Sequence, residues 1–232
     1  MTEPPDSSER LHDLPLGAWS RAHALGIAVA TSVAVWQRAA WPVAALALPS
    51  LSGLLWLGRR AFTPRGRFGA ANTVTTGRAI LVCALSAPVD ALSAVATVAV
   101  VCAVLTLDLL DGWLARRRGD ASSFGAQFDM ETDALLVLMV SLRLWLGVGL
   151  GAWALCPGLL RYAYVLWLWC WPGSGREAPR SRFGRFAFAG LMLGLCAGLA
   201  LPAPWSALAV AAGTLLVAGS FARSIYFSRL PS

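Results

Sequence analysis

The feature that most constrains this chain is how its apolar residues are parcelled: long runs nearly free of charge, separated by short connectors, with arginines massed in every second connector from Arg59 onward. Roughly 20 apolar residues cross a hydrocarbon core. In that setting the backbone must satisfy its own hydrogen bonds, so such runs become helices. Eight segments read this way, over residues 22–36, 41–57, 71–87, 91–114, 124–147, 151–171, 186–201 and 205–227. A 57% hydrophobic content, 13% charged residues and a mean hydropathy of +0.63 lie outside the range of soluble domains. The fold class expected is all-α, a polytopic membrane protein.

Arginine placement sets the orientation. Arg59, Arg60, Arg65 and Arg67 precede the third segment, Arg116 to Arg118 follow the fourth, and Arg176, Arg180, Arg182 and Arg185 precede the seventh. These connectors belong on the cytoplasmic side. The connectors near Pro88, Gly147 and Pro202 carry no arginine and belong outside. The net charge of +7 therefore points to anionic lipid and not to nucleic acid, because the cations lie between apolar runs and not along one polar face. The domain reading is a polar, disordered tail over residues 1–20, N-terminal hydrophobic helices and a basic linker over 21–68, and a six-helix core over 69–232. The tail carries Glu3, Asp6, Glu9 and Asp13 and lacks the cationic start of a signal peptide.

Within this apolar chain the run from Asp108 to Asp133 stands apart. Asp108, Asp111, Gly112 and Ala115 fall on the stripe a helix normally buries, and Gly125, Asp129 and Asp133 repeat the pattern on the next helix. Carboxylates in a membrane segment are functional candidates by default. Four together repel unless cations compensate them, and hard divalent ions, Mg²⁺ or Mn²⁺, take oxygen donors of this kind. The chain has no lysine, and its only histidines are His12 and His23, which argues against Schiff-base chemistry, a His-based triad or a zinc site. Its five cysteines are dispersed singly and read as inert buried thiols.

The whole run, Asp108-x2-Asp111-Gly112-x2-Ala115-Arg116-x8-Gly125-x3-Asp129-x3-Asp133, resembles the signature of the CDP-alcohol phosphatidyltransferases, with every fixed position filled. The resemblance implies six transmembrane helices from about Gly69 onward, a homodimer, and a pair of Mg²⁺ or Mn²⁺ ions. It implies that Asp108, Asp111 and Asp129 ligate the metals. Asp133 would serve as a further ligand or as the catalytic base that deprotonates the acceptor hydroxyl. Gly112 and Ala115 would keep the helix face low for the nucleotide, Arg116 would hold the pyrophosphate, and Gly125 would complete the same surface. The reaction implied is attack of an alcohol on the β-phosphorus of CDP-diacylglycerol, with release of CMP, at the cytoplasmic face of a bacterial inner membrane.

Two further segments are similar to the family. Asn72-x2-Thr75-x2-Arg78 resembles an element of the first core helix, implying nucleotide contacts for Asn72 and Thr75 and a phosphate contact for Arg78. A helix cap with a snorkelling arginine is the plainer reading. Arg161 matches the arginine of an Arg-Glu pair in phosphatidylglycerophosphate synthase-like members, although Tyr162 stands where the acid would be; Ser181-x2-Gly184-Arg185 resembles their Ser-x-x-Gly-Lys. Together Arg161, Ser181, Arg182 and Arg185 would bind a phosphorylated acceptor, glycerol 3-phosphate first and inositol phosphate second. A CDP-choline or CDP-ethanolamine donor to diacylglycerol stays open, and an intramembrane prenyltransferase or a transporter stands outside the family. Of the remaining charges, Arg143 is expected to snorkel outward, and Glu131 to be solvated or paired with a loop arginine.

Overall fold

A computed structural model describes residues 16–64, 66–170 and 182–228, and every regular element among them is helical. Eight α-helices follow one another: α1 (Leu16–Gln37), α2 (Trp41–Leu57), α3 (Ala70–Ala84), α4 (Ala94–Arg118), α5 (Ser123–Arg143), α6 (Cys156–Cys170), α7 (Arg182–Ala200) and α8 (Trp205–Ser228). Each of the eight apolar segments carries one of them. Three stretches, Ala94–Arg118, Phe183–Ala200 and Trp205–Tyr226, are long and apolar enough to cross a membrane by themselves. Val95, Leu109, Leu193 and Leu215 are 73–80% exposed, an outward apolar surface that suits lipid and not water. The chain is an integral membrane protein. Helix α1 starts at Leu16, inside the stretch read as a polar tail. Residues 1–15, Arg65, Arg176, Arg180 and Ser181 lie outside the described residues, as does the side chain of Arg182.

Helix α5 is the hub. It packs on α3 and α6, while α3 also pairs with α4, α7 with α8, and the α1–α2 hairpin rests on α6. From residue 134 to 144 every side chain along α5 and into the π-helical turn after it is buried, which matches a helix surrounded by other helices.

Short polar devices fix the ends that matter for the site. Ser93 caps α4 by accepting from Ala96 N at 3.2 Å, and Ser122 caps α5 by accepting from Gly125 N at 3.0 Å. Between them α4 stops at Gly119, whose φ of 64° is a left-handed conformation glycine adopts without penalty. This tight turn sets the end of α4 beside the start of α5. The linker before α3 is tied to it through the Phe62 carbonyl, which accepts from Ser122 Oγ at 2.7 Å and Asn72 Nδ2 at 3.2 Å. The Phe62 ring meets Phe68 and Phe124 edge-on at 4.8 and 5.2 Å.

Arg143 departs from its expected outward reach. It is 4% exposed and folds onto the loop between α3 and α4, donating to the carbonyls of Leu85 at 3.2 Å, Ala87 at 3.0 Å and Leu92. A loop that doubles back over the helix end presents carbonyls that need donors, and a guanidinium supplies several from one point. Replacing Arg143 with Met keeps the aliphatic stem and strands those carbonyls, a loss of about 2–3 kcal/mol. Thermal unfolding in detergent should therefore show a clearly lower midpoint; an unchanged midpoint would show that the loop does not depend on Arg143.

Candidate active site

Helices α3, α4 and α5 each bring part of one constellation. Asp108 and Asp111 sit near the end of α4, Asp129 and Asp133 near the start of α5, and the Gly119 turn sets the two pairs face to face. From α3, Arg78 enters between them with its side chain fully buried. Its Nη1 lies 2.9 Å from Asp108 Oδ1, 2.8 Å from Asp111 Oδ2 and 2.6 Å from Asp129 Oδ1, and its Nη2 lies 2.6 Å from Asp133 Oδ1. One turn earlier, Thr75 Oγ1 donates to Asp111 Oδ2 at 3.0 Å.

One guanidinium offsets one of the four negative charges, so the site retains a strong demand for cations. Carboxylate oxygens of Asp108, Asp111 and Asp129 lie within 4.8 Å of one another, and this all-oxygen donor set fits Mg²⁺ or Mn²⁺. Asp111 is buried, whereas Asp108, Asp129 and Asp133 keep 31%, 39% and 24% of their side chains accessible, so the cluster opens on one side. Arg116, Arg117 and Arg118 follow in the last turn of α4.

The small residues have geometric reasons. A Cβ at Gly112 would lie 3.3 Å from Arg116 Nη1, so the bare position leaves room for the Arg116 guanidinium to fold back over the preceding turn of the helix. A Cβ at Gly125 would meet Asn72 Oδ1 at 3.2 Å, so Gly125 admits Asn72 to the α3–α5 seam. Ala115 lies on the same helix between Gly112 and Arg116 and is half-buried. Asn72 spends its amide nitrogen on the Phe62 and Phe68 carbonyls, the second at 2.6 Å. It locks the linker at the mouth of the site.

The structure does not bring every expected residue here. Arg161 pairs with Glu131, Nη2 to Oε1 at 2.9 Å. Glu131 is neither solvated nor joined to a loop arginine: it is 1% exposed and also accepts from Gln127 Nε2 at 2.7 Å. The acid missing after Arg161 in the sequence is thus supplied from α5. Arg185 lies exposed in the first turn of α7. The central place of Arg78 was not read from the sequence, yet a signal existed: Asn72, Thr75 and Arg78 at intervals of three share one face of α3. Glu131 and Arg161 carried a signal too, as two lone opposite charges in apolar segments that have to find each other.

A family model described as CDP-alcohol phosphatidyltransferase matches residues 68–222, well over half of the chain. The protein belongs to the CDP-alcohol phosphatidyltransferase family, and its acidic cluster of Asp108, Asp111 and Asp129 is consistent with the metal-dependent active site typical of that family. No curated protein and no solved structure matches the chain.

Replacing Arg78 with Gln should test the electrostatics of the cluster without reference to turnover. Removing one partner of a buried ion cluster costs about 3–5 kcal/mol. The variant should unfold at a much lower temperature than the parent in EDTA, and millimolar Mg²⁺ should close most of that gap. A loss of equal size in EDTA and in Mg²⁺ would contradict the reading.

Proposed function

We propose that the protein transfers the phosphatidyl group of CDP-diacylglycerol to a small phosphorylated polyol, with glycerol 3-phosphate the first choice, and releases CMP. The observation that carries this reading is the convergence of four aspartates from α4 and α5 around Arg78, in a chain of this family. The diacylglycerol tails stay in lipid while the cytidine head reaches the arginine-rich, cytoplasmic mouth. The six-helix core begins at α3, and the enzyme acts in the bacterial inner membrane as a homodimer.

Asp108, Asp111 and Asp129 would hold the divalent ions, Mg²⁺ or Mn²⁺, which when bound would neutralise the pyrophosphate and the departing CMP. Arg116 grips the pyrophosphate through charge-assisted hydrogen bonds, for which a planar guanidinium is suited. Gly112, Ala115 and Gly125 leave room for the nucleotide, with Asn72 and Thr75 framing it. Asp133 accepts the proton of the acceptor hydroxyl as its oxygen forms a bond to the β-phosphorus and the bond from that phosphorus to CMP breaks. The acceptor's own phosphate is assigned to Ser181, Arg182 and Arg185. Arg78 holds the aspartates in place.

CMP release by the purified protein, with CDP-diacylglycerol, Mg²⁺ and a panel of glycerol 3-phosphate, inositol 1-phosphate, inositol, serine or water, tests this. Release should depend on glycerol 3-phosphate; dependence on another acceptor would replace it, and release only from CDP-choline with diacylglycerol would reverse the donor. Asp108→Asn, Asp111→Asn and Asp129→Asn should each lower turnover by about two orders of magnitude or more while still inserting in the membrane. Near-parental turnover in any of them would remove that residue from the metal site.

A further inference from the structure

We propose that Glu131 and Arg161 are positioning residues for the metal-binding face of α5, braced from outside by the α1–α2 hairpin; this rests on the metal-site reading above. Glu131 stands two residues from both Asp129 and Asp133. At about 100° per residue, it projects from the opposite side of α5. Its pairing with Arg161 at 2.9 Å therefore ties down the back of the same helix whose front presents the two carboxylates.

The size of the effect decides its relevance. A carboxylate some 6 Å from a helix axis moves by about 1 Å when the helix turns by about 10°. Metal–ligand distances are held to about 0.2 Å, so a turn of this size is enough to spoil a site. An ion pair buried in an apolar core contributes little stability compared with well-packed hydrophobes, but its short, directional contacts resist such a turn. The Glu131 and Arg161 side chains are only 2% and 17% exposed, and α6 lies close enough to α5 that a Cβ at Gly158 would meet Leu138 Cα at 2.6 Å.

Helix α6 is held in turn by the hairpin, at the level of Arg161. Tyr162, 2% exposed, meets the His23 ring of α1 edge-on at 5.9 Å. His23 stacks on Trp19 at 4.8 Å and places Nδ1 2.8 Å from Ser50 Oγ of α2, while Trp19 Nε1 donates to the Ser50 carbonyl at 3.0 Å. Farther along, the Arg21 guanidinium lies over Trp169 at 5.7 Å. The hairpin, outside the residues that match the family model, thus has a defined purchase on α6, the helix that carries Arg161.

Equilibrium Mn²⁺ binding, read by EPR of the free ion, tests this on the full chain in detergent. E131Q and R161Q should each weaken Mn²⁺ binding about tenfold or more, as loss of outer-shell support commonly does. The double variant E131Q/R161Q leaves no unpaired charge, so it should regain much of the thermal stability lost by the singles but none of the Mn²⁺ affinity. At saturating Mn²⁺ the acceptor KM should stay parental in all three. H23A should shift Mn²⁺ binding in the same direction by a smaller factor. Parental Mn²⁺ affinity in the folded variants overturns the proposal, and a raised acceptor KM with parental Mn²⁺ affinity in R161Q returns Arg161 to the acceptor pocket. If the singles do not fold, the double variant decides by the same Mn²⁺ criterion. Failure of the parent itself to bind Mn²⁺ would instead remove the metal-site reading on which the proposal stands.

Discussion

The contact of one buried guanidinium with four carboxylates is the constraint around which the rest of the molecule is arranged. At an effective dielectric of about 20, two carboxylates 4.8 Å apart repel by about 3 kcal/mol. The three pairs among Asp108, Asp111 and Asp129 thus cost about 10 kcal/mol, comparable with the whole stability of a domain. Such a cluster stays fully ionised only with a cation inside it. Arg78 supplies one, and the charge that remains is consistent with a divalent-cation requirement.

Holding these groups at 2.6–2.9 Å demands that three helices agree in register. The Gly119 turn and the Ser122 cap align α4 with α5, and Thr75 and Asn72 align α3 with both. On the far side of α5 the Glu131–Arg161 pair supplies a further angular restraint. Charged residues that look isolated in an apolar sequence are thus assigned in pairs: Arg78 to the aspartates, Arg161 to Glu131, and Arg143 to the carbonyls of the loop from Leu85 to Leu92.

Much of this was legible in the sequence because hydrophobic length and arginine spacing are one-dimensional signals. The eight helices fall where apolar runs fall, and the aspartates at helical spacing do share one cluster. What sequence could not supply was the partner of each lone charge, which depends on how helices pack. Arg143 looked free to reach the outer surface because its acceptors are backbone carbonyls 51 to 58 residues away, and any residue has a carbonyl. Glu131 falls off the aspartate stripe, and its partner Arg161 lies on a separate helix that only packing brings to its other side. The family resemblance implies a phosphate contact for Arg78, whereas in the fold the aspartates surround it.

The most direct test of the central claim, that this carboxylate cluster works through divalent metal, is CMP release from CDP-diacylglycerol by the purified protein after treatment with EDTA and again after Mg²⁺ or Mn²⁺ is restored. Release should stop in EDTA and return with either ion. Release that continues undiminished in EDTA would contradict the account.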